Sequence, residues 1–197
     1  MGRRSLKEIR QKEIVIAFYK VAKKVGIENA SIAKVADLLD INPSLVMHYF
    51  KTKDDLLQAL VDFNLEKYLS IYSVSGKVDS KEKLIEIIEN LFSRKWHRLF
   101  DDGVYYSCYS FIYRNRRFKK EFRELHDSLH ENFVVTLKDA TEAGVLKVEN
   151  FEQTSKLIFS IVDGAYYYLG MIEDEQEIER ISIWYKQHVL AILGISY

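Results

Sequence analysis

Apolar positions in the first third of the chain recur every three or four residues, the period of helices rather than of strands. Ile14, Phe18, Val21, Ala22 and Val25 trace one stripe and predict a helix over Ser5–Val25, with Gly26 placed as its terminating glycine. Ile32, Val35, Ala36 and Leu39 fall at i, i+3, i+4 and i+7, so a short amphipathic helix follows Ser31, which can cap it. Asp40–Ile41 interrupt the pattern. Asn42 then caps a third helix that carries Pro43 at its first position, where a missing N–H costs nothing. The inner face of that helix is Val46, Tyr49 and Phe50. Thr52 caps a fourth, longer helix bearing Leu56, Leu57, Leu60, Val61 and Phe63, expected to fray near Ser73–Gly76.

Beyond a polar stretch at Ser73–Ser80 the helical period resumes. Helices are expected over Ser80–Phe100, Val104–Arg114, Arg117–Ala143 (closed by Gly144), Phe151–Met171 and Glu175–Leu193. No repeat, low-complexity tract or strand pattern appears. The pattern predicts an all-α fold of about nine helices: an N-terminal three-helix head, 1–52, a connecting helix, 53–72, and a larger C-terminal helical bundle, 73–197.

Composition agrees with this picture. A single proline and eight glycines in 197 residues suit long helices, and one cysteine excludes an internal disulfide. No apolar run reaches the ~18 residues that span a bilayer, and the start MGRRSLKEIRQKE lacks a signal-peptide core, so a cytoplasmic protein without membrane contact is expected. Formal net charge is zero, but its distribution is uneven. Residues 1–50 hold nine Lys and Arg against five Asp and Glu, whereas residues 146–197 hold four against eight. A basic head on an acidic tail attracts phosphate locally.

Two short amphipathic helices joined by a tight turn have the proportions of a helix-turn-helix. The first lies across the second and holds it. The second must keep one face free to enter the ~12 Å major groove. With Val46, Tyr49 and Phe50 inward, Pro43, Ser44, Leu45, Met47 and His48 are left outward. A solvated helix would prefer Lys and Glu there. Leu45 can meet a thymine methyl and Ser44 a base edge or phosphate.

The segment SIAKVADLLDINPSLVMHYFKTKDDLLQAL resembles the DNA-binding domain of the TetR family of transcriptional regulators, in its BetI-like, choline/betaine-pathway variant. The likeness rests on Ser31-Ile32, Val35-Ala36, the turn at Ile41-Asn42, His48-Tyr49-Phe50, Lys53 and Leu56-Leu57. It implies that Ser31, Asn42, Ser44, Leu45, His48, Tyr49 and Lys53 form the DNA-contacting set. Ser31, Tyr49 and Lys53 would hold phosphates, and Phe50 would act as a hinge to the fourth helix. Arg3, Arg4 and Lys7 would add an arm. Many family members carry Tyr at the position of Met47, where it holds a phosphate; Met47 has no group for that role.

The body is rich in aromatics. Trp96, Phe100, Tyr105, Tyr106, Tyr109, Phe111 and Tyr113 lie in one segment, and Tyr166, Tyr167 and Tyr168 in another. They can fill a core, or line a pocket for an amphipathic or aromatic molecule or a quaternary amine. The resemblance implies an effector pocket of this kind, with Trp96, Tyr109, Tyr113, Phe133 and Tyr167 as its expected lining. His126 and His130, at i and i+4, can share a metal, but no HExxH or diagnostic third ligand accompanies them. Cys108 lacks the motif of a nucleophile. No metal, cofactor or catalytic residue is therefore expected.

On the last two helices, Ile158, Ile161, Gly164 and Ala165 form one candidate face and Ile181, Trp184, Tyr185 and His188 another. They suit either an intramolecular core or a four-helix dimer interface, and the resemblance implies a homodimer. The expected function is a ligand-responsive regulator, chiefly a repressor. It would bind a palindromic double-stranded operator as a dimer until a small effector shifts the long seventh helix. The competing readings are a helical enzyme using His97 or Cys108, and a protein-interaction adaptor that does not bind DNA.

Overall fold

The protein is described by a computed structural model, which covers residues 5–72, 76–93 and 101–195, with only the backbone described over 65–72. Among these residues there are nine α-helices and no strand. They are α1 (Leu6–Val25), α2 (Ile32–Leu39), α3 (Pro43–Tyr49), α4 (Lys53–Tyr72), α5 (Lys81–Leu91), α6 (Asp102–Tyr109), α7 (Arg116–Glu142), α8 (Phe151–Leu169) and α9 (Glu175–Ile192). A 3-10 turn, Ser110–Tyr113, follows α6. The expected single helix over Val104–Arg114 is thus an α-helix that tightens in its last turn. Of the helix expected over Ser80–Phe100, α5 ends at Leu91, where Phe92 turns out of helical geometry, and residues 94–100 lie outside the described residues.

Local chemistry sets the boundaries. Ser5 and Glu8 form a reciprocal capping box at the start of α1, and Gly26 closes it at φ 80°. Ser31 Oγ accepts the Lys34 N–H to cap α2. Asn42 caps α3 with Pro43 at its first position. Thr52 and Asp55 exchange side-chain-to-backbone hydrogen bonds of 2.9 and 3.1 Å, so α4 opens on a second reciprocal box.

The described residues fall into two compact units. The first takes those of Met1–Tyr68 and of His97–Phe122, and the second those of Leu69–Trp96 and of Arg123–Tyr197. The first unit joins the expected head and most of the connecting helix to α6 and the first turns of α7, and packing explains why. Ile14, Phe18, Val35, Ala36, Val46, Leu56 and Leu60 share one core with Val104, Cys108, Phe118 and Phe122. A three-helix head alone is too small to bury much apolar surface, and the α6–α7 segment supplies the remainder. In the second unit, α9 packs on α5 and α8, with Leu84, Ile88, Leu129, Leu137, Ile158 and Leu190 almost wholly buried.

The α2–α3 turn carries one backbone cost. Asp40 adopts the left-handed conformation, φ 52° and ψ 48°, and Ile41 N–H reaches back to Ala36 O at 3.1 Å. Glycine is the residue that takes this position without steric penalty, and a carboxylate at a helix C-terminus also opposes the helix dipole. Asp40→Gly should stabilise the fold by about 1 kcal/mol, raising Tm by a few degrees in a thermal melt. An unchanged or lower Tm would show that the Asp40 side chain contributes more than it costs.

Candidate nucleic-acid interface

The reading helix α3 is seven residues long and is fastened from several directions. Val46 is fully buried and Phe50 nearly so. Tyr49 is half-buried, with the His48 ring edge-on to it at 5.1 Å. Asn42 Oδ1 accepts both the Ser44 N–H, at 2.9 Å, and the Ser44 hydroxyl, at 2.8 Å. Lys53 Nζ donates to the Glu28 carbonyl at 2.7 Å, tying the start of α4 to the loop before α2. Lys34 Nζ likewise donates to the Asn29 carbonyl at 2.9 Å. Lys53 thus acts first as a structural tie, with two N–H groups left for a phosphate.

What remains outward is the face the periodicity indicated. Pro43, Ser44, Met47 and His48 are exposed and Leu45 is half-buried. Ser31, Asn42, Ser44, Leu45, His48, Tyr49 and Lys53 all lie in the first unit, around α2, α3 and the start of α4. Arg3 and Arg4 lie outside the described residues; Lys7 is exposed on the first turns of α1. An open cleft of about 990 Å³ runs beside the C-terminal end of α3. Lys7, Lys12, Lys51 and Arg117 line it together with Glu13 and Asp62, so its walls are polar and of mixed charge.

Two contacts of the first unit were not legible in the sequence. Tyr19 Oη accepts the Asp101 N–H at 2.7 Å, and Lys23 Nζ lies 3.6 Å from the Asp101 carboxylate that caps α6. Burial raises the Tyr19 pKa above its ordinary value, so the hydroxyl stays protonated. Gln58, largely buried on α4, donates to Glu121 of α7 and, at 3.1 Å, to Asp62. Asn64 is a third omission. It is 3% exposed, and neither its amide nitrogen nor its oxygen has a hydrogen-bond partner among the described residues. The signal was an Asn placed i+7, i+4 and i+3 from Leu57, Leu60 and Val61 on an otherwise apolar face.

The residues expected to line an effector pocket are distributed over both units and the undescribed segment. Trp96 lies outside the described residues, as do Phe100 and His97 of the same segment. Tyr109 belongs to the first unit, against Phe122 at 5.1 Å, while Phe133 belongs to the second, edge-on to Phe159 at 5.7 Å. Tyr113 is 86% exposed on the 3-10 turn and Tyr167 58% exposed on α8.

The candidate dimer residues also divide. Ile158 and Ala165 are buried in the core of their own unit, so they do not offer a surface to a second subunit. A helix packed on one side presents two apolar stripes, and period alone does not say which one is covered. Gly164, Trp184 and His188 are exposed, and Ile161, Ile181 and Tyr185 half-buried. The outer face they mark continues through Leu157, Tyr168 and Ile192. Tyr185 stacks on Phe92 at 6.2 Å, and the His188 ring lies 4.0 Å from that of Trp184.

No group of three His, Cys, Asp or Glu side chains suited to a metal occurs among the described residues. His126 lies 3.7 Å from Asp163, and His130 Nδ1 is 3.3 Å from Ser155 Oγ. Both histidines are half-buried. Burial, and then the charge of His126, lower the pKa of His130. Among the described residues no helix is long and apolar enough to cross a membrane.

Two short helices joined by a tight turn, the second capped and exposed on one face, make a helix-turn-helix. The chain belongs to the TetR family of bacterial regulators. Residues 17–60 match the model "Bacterial regulatory proteins, tetR family", and residues 79–195 match "Tetracyclin repressor-like, C-terminal domain". The chain is 23% identical to the regulator PksA of Bacillus subtilis over 94% of its own length and 90% of that protein. It is also 23% identical to BetI of Stenotrophomonas maltophilia, over 47% of this chain and about half, 48%, of that protein. A TetR regulator from Haloarcula marismortui has the same fold, with TM-score 0.81 and 22% identity over 95% of this chain and 97% of that one. A chain from Saccharomonospora viridis solved in complex with choline superposes with TM-score 0.70 at 14% identity, over 95% and 96% of the two chains. The protein is a DNA-binding transcriptional regulator, not an enzyme.

The remaining candidate nucleophile has a structural role. Cys108 is 1% exposed in the core, and burial pushes its thiol up to about 12. At pH 8 a thiol-specific reagent should leave Cys108 unmodified in the native chain and label it fully in denaturant. Rapid labelling of the folded protein would contradict this assignment.

Proposed function

We propose that the chain is a ligand-responsive repressor in the cytoplasm that binds a palindromic operator as a homodimer and is released by a small amphipathic or aromatic effector. The observation that carries the reading is the outward face of α3, left open while cap, core and Lys53 tie hold the helix rigid. Ser31, Asn42, Ser44, Leu45, His48, Tyr49 and Lys53 are the proposed contact set. The exposed apolar residues of α8 and α9, Leu157, Tyr168, Trp184 and Ile192 among them, support an interface with a second copy. A two-fold dimer presents two reading helices to half-sites one helical turn apart, or a multiple of it.

Asn64 supports the effector half of the reading. An unpartnered buried amide is costly, and functional sites are where proteins retain such costs. It offers one acceptor and two donors to a polar group of an otherwise apolar molecule. The choline held by the Saccharomonospora viridis chain makes quaternary amines the first class to test. Effector binding would favour a conformation that fits the operator less well, which is all that release requires.

Two measurements test these statements. Duplexes selected from random DNA should be bound by a dimer, with log affinity falling linearly in log salt concentration. A chain that binds no duplex at low salt would exclude the repressor reading and leave that of an adaptor. Asn64→Leu should raise Tm, the gain being about 1 kcal/mol from removing an unsatisfied amide, and should abolish any Tm increase that a quaternary amine gives the native chain. A stabilised variant that still responds to the amine would remove Asn64 from the effector site.

A further inference from the structure

The composition of the reading face has a consequence for which bases it selects. Base recognition in the major groove usually uses forked side chains: Arg on guanine, Asn or Gln on adenine, with Asp or Glu on cytosine. The sequence of α3, PSLVMHY, contains none of these. Asn42, at the cap, has its Oδ1 engaged by two donors of Ser44. Ser44 spends its only O–H in that bond and keeps only lone pairs for a base. Lys34 and Lys53 are tied to the carbonyls of Asn29 and Glu28. His48, exposed beside Tyr49, is the one outward ring that can hydrogen-bond a base edge, and the longest outward side chain is Met47, 51% exposed, with the ring of Pro43 exposed one turn away.

A flexible thioether standing in water gains by meeting apolar surface. The major groove offers one such surface, the 5-methyl group of a pyrimidine. We propose that this regulator selects its operator through 5-methyl groups of pyrimidines, with Met47 as the residue that touches them. The inference rests on the DNA-binding reading above and adds the base chemistry to it. The methyl is thymine's in ordinary DNA, and 5-methylcytosine carries the same group.

The test uses the full chain and a duplex it selects from a random pool. Each thymine of the half-site is replaced in turn by deoxyuridine, which removes only the methyl. Affinity should fall about fourfold at one step per half-site and about fifteenfold when both half-sites are changed, the value of one buried methyl at each. In Met47→Ala the difference between thymine and uracil at that step should vanish, which separates direct contact from a change in DNA shape. Met47→Leu should retain it. Replacing that T·A pair by 5-methylcytosine·guanine should bind better than cytosine·guanine if the methyl alone is read. Equal binding of thymine and uracil duplexes at every position overturns the inference while leaving DNA binding intact, as does a difference that persists in Met47→Ala. A chain that selects no duplex overturns the repressor reading and this inference together.

Discussion

A seven-residue helix does not hold itself together in water, because nucleating the first turn costs more than two turns return. The reading helix α3 therefore exists only as far as its surroundings impose it. Val46, fully buried, is its one complete anchor, and Phe50 fixes its exit. Asn42 satisfies its first donors and Thr52 with Asp55 starts the next helix at once. The outward residues are free to be unusual because the buried contacts that hold the helix come from Val46 and Phe50. This division of labour lets Pro43, Ser44, Met47 and His48 be chosen for what they touch.

The core beneath Val46 is not confined to the first four helices. Val104, Cys108, Phe118 and Phe122 belong to it, so α6 and the first turns of α7 are part of the unit that carries α3. Two polar links reinforce the same association. Tyr19 and Lys23 of α1 engage Asp101 at the cap of α6, and Gln58 of α4 engages Glu121 of α7. A close-packed core transmits displacement rather than absorbing it. Movement of α6 or α7 would therefore reach α1 and α4 through contacts that already exist.

Helix number and type were legible because the 3.6-residue period is strong and breakers are few, and the caps Ser31, Asn42 and Thr52 marked the starts correctly. Tyr109 and Phe133 were grouped as pocket lining from their chemistry, which carries no sign that they belong to different units. Ile158 and Ala165 fit a partner-facing stripe equally well as a core-facing one, and only burial separates the two. The partnership of Tyr19 with Asp101, 82 residues apart, leaves no trace in local pattern. Asn64 did leave one, a polar residue on an apolar face, but a hydrogen-bonded Asn would have produced the same signal.

The charge pattern bears on affinity rather than on choice of site. Lysine contacts to phosphate carry no base information and weaken with salt. On the proposed reading such contacts fall to Lys53 and to residues flanking α3, such as Lys7, Lys12 and Lys51, which are exposed on α1 and beyond the C-terminal end of α3. The reading helix itself contains no Lys, Arg, Asp or Glu. Attraction to the duplex and discrimination among duplexes are therefore assigned to different side chains. Raising salt should weaken the binding of all sequences by a common factor while leaving the ratio between them nearly constant. A face that read bases through Arg or Lys would lose both together.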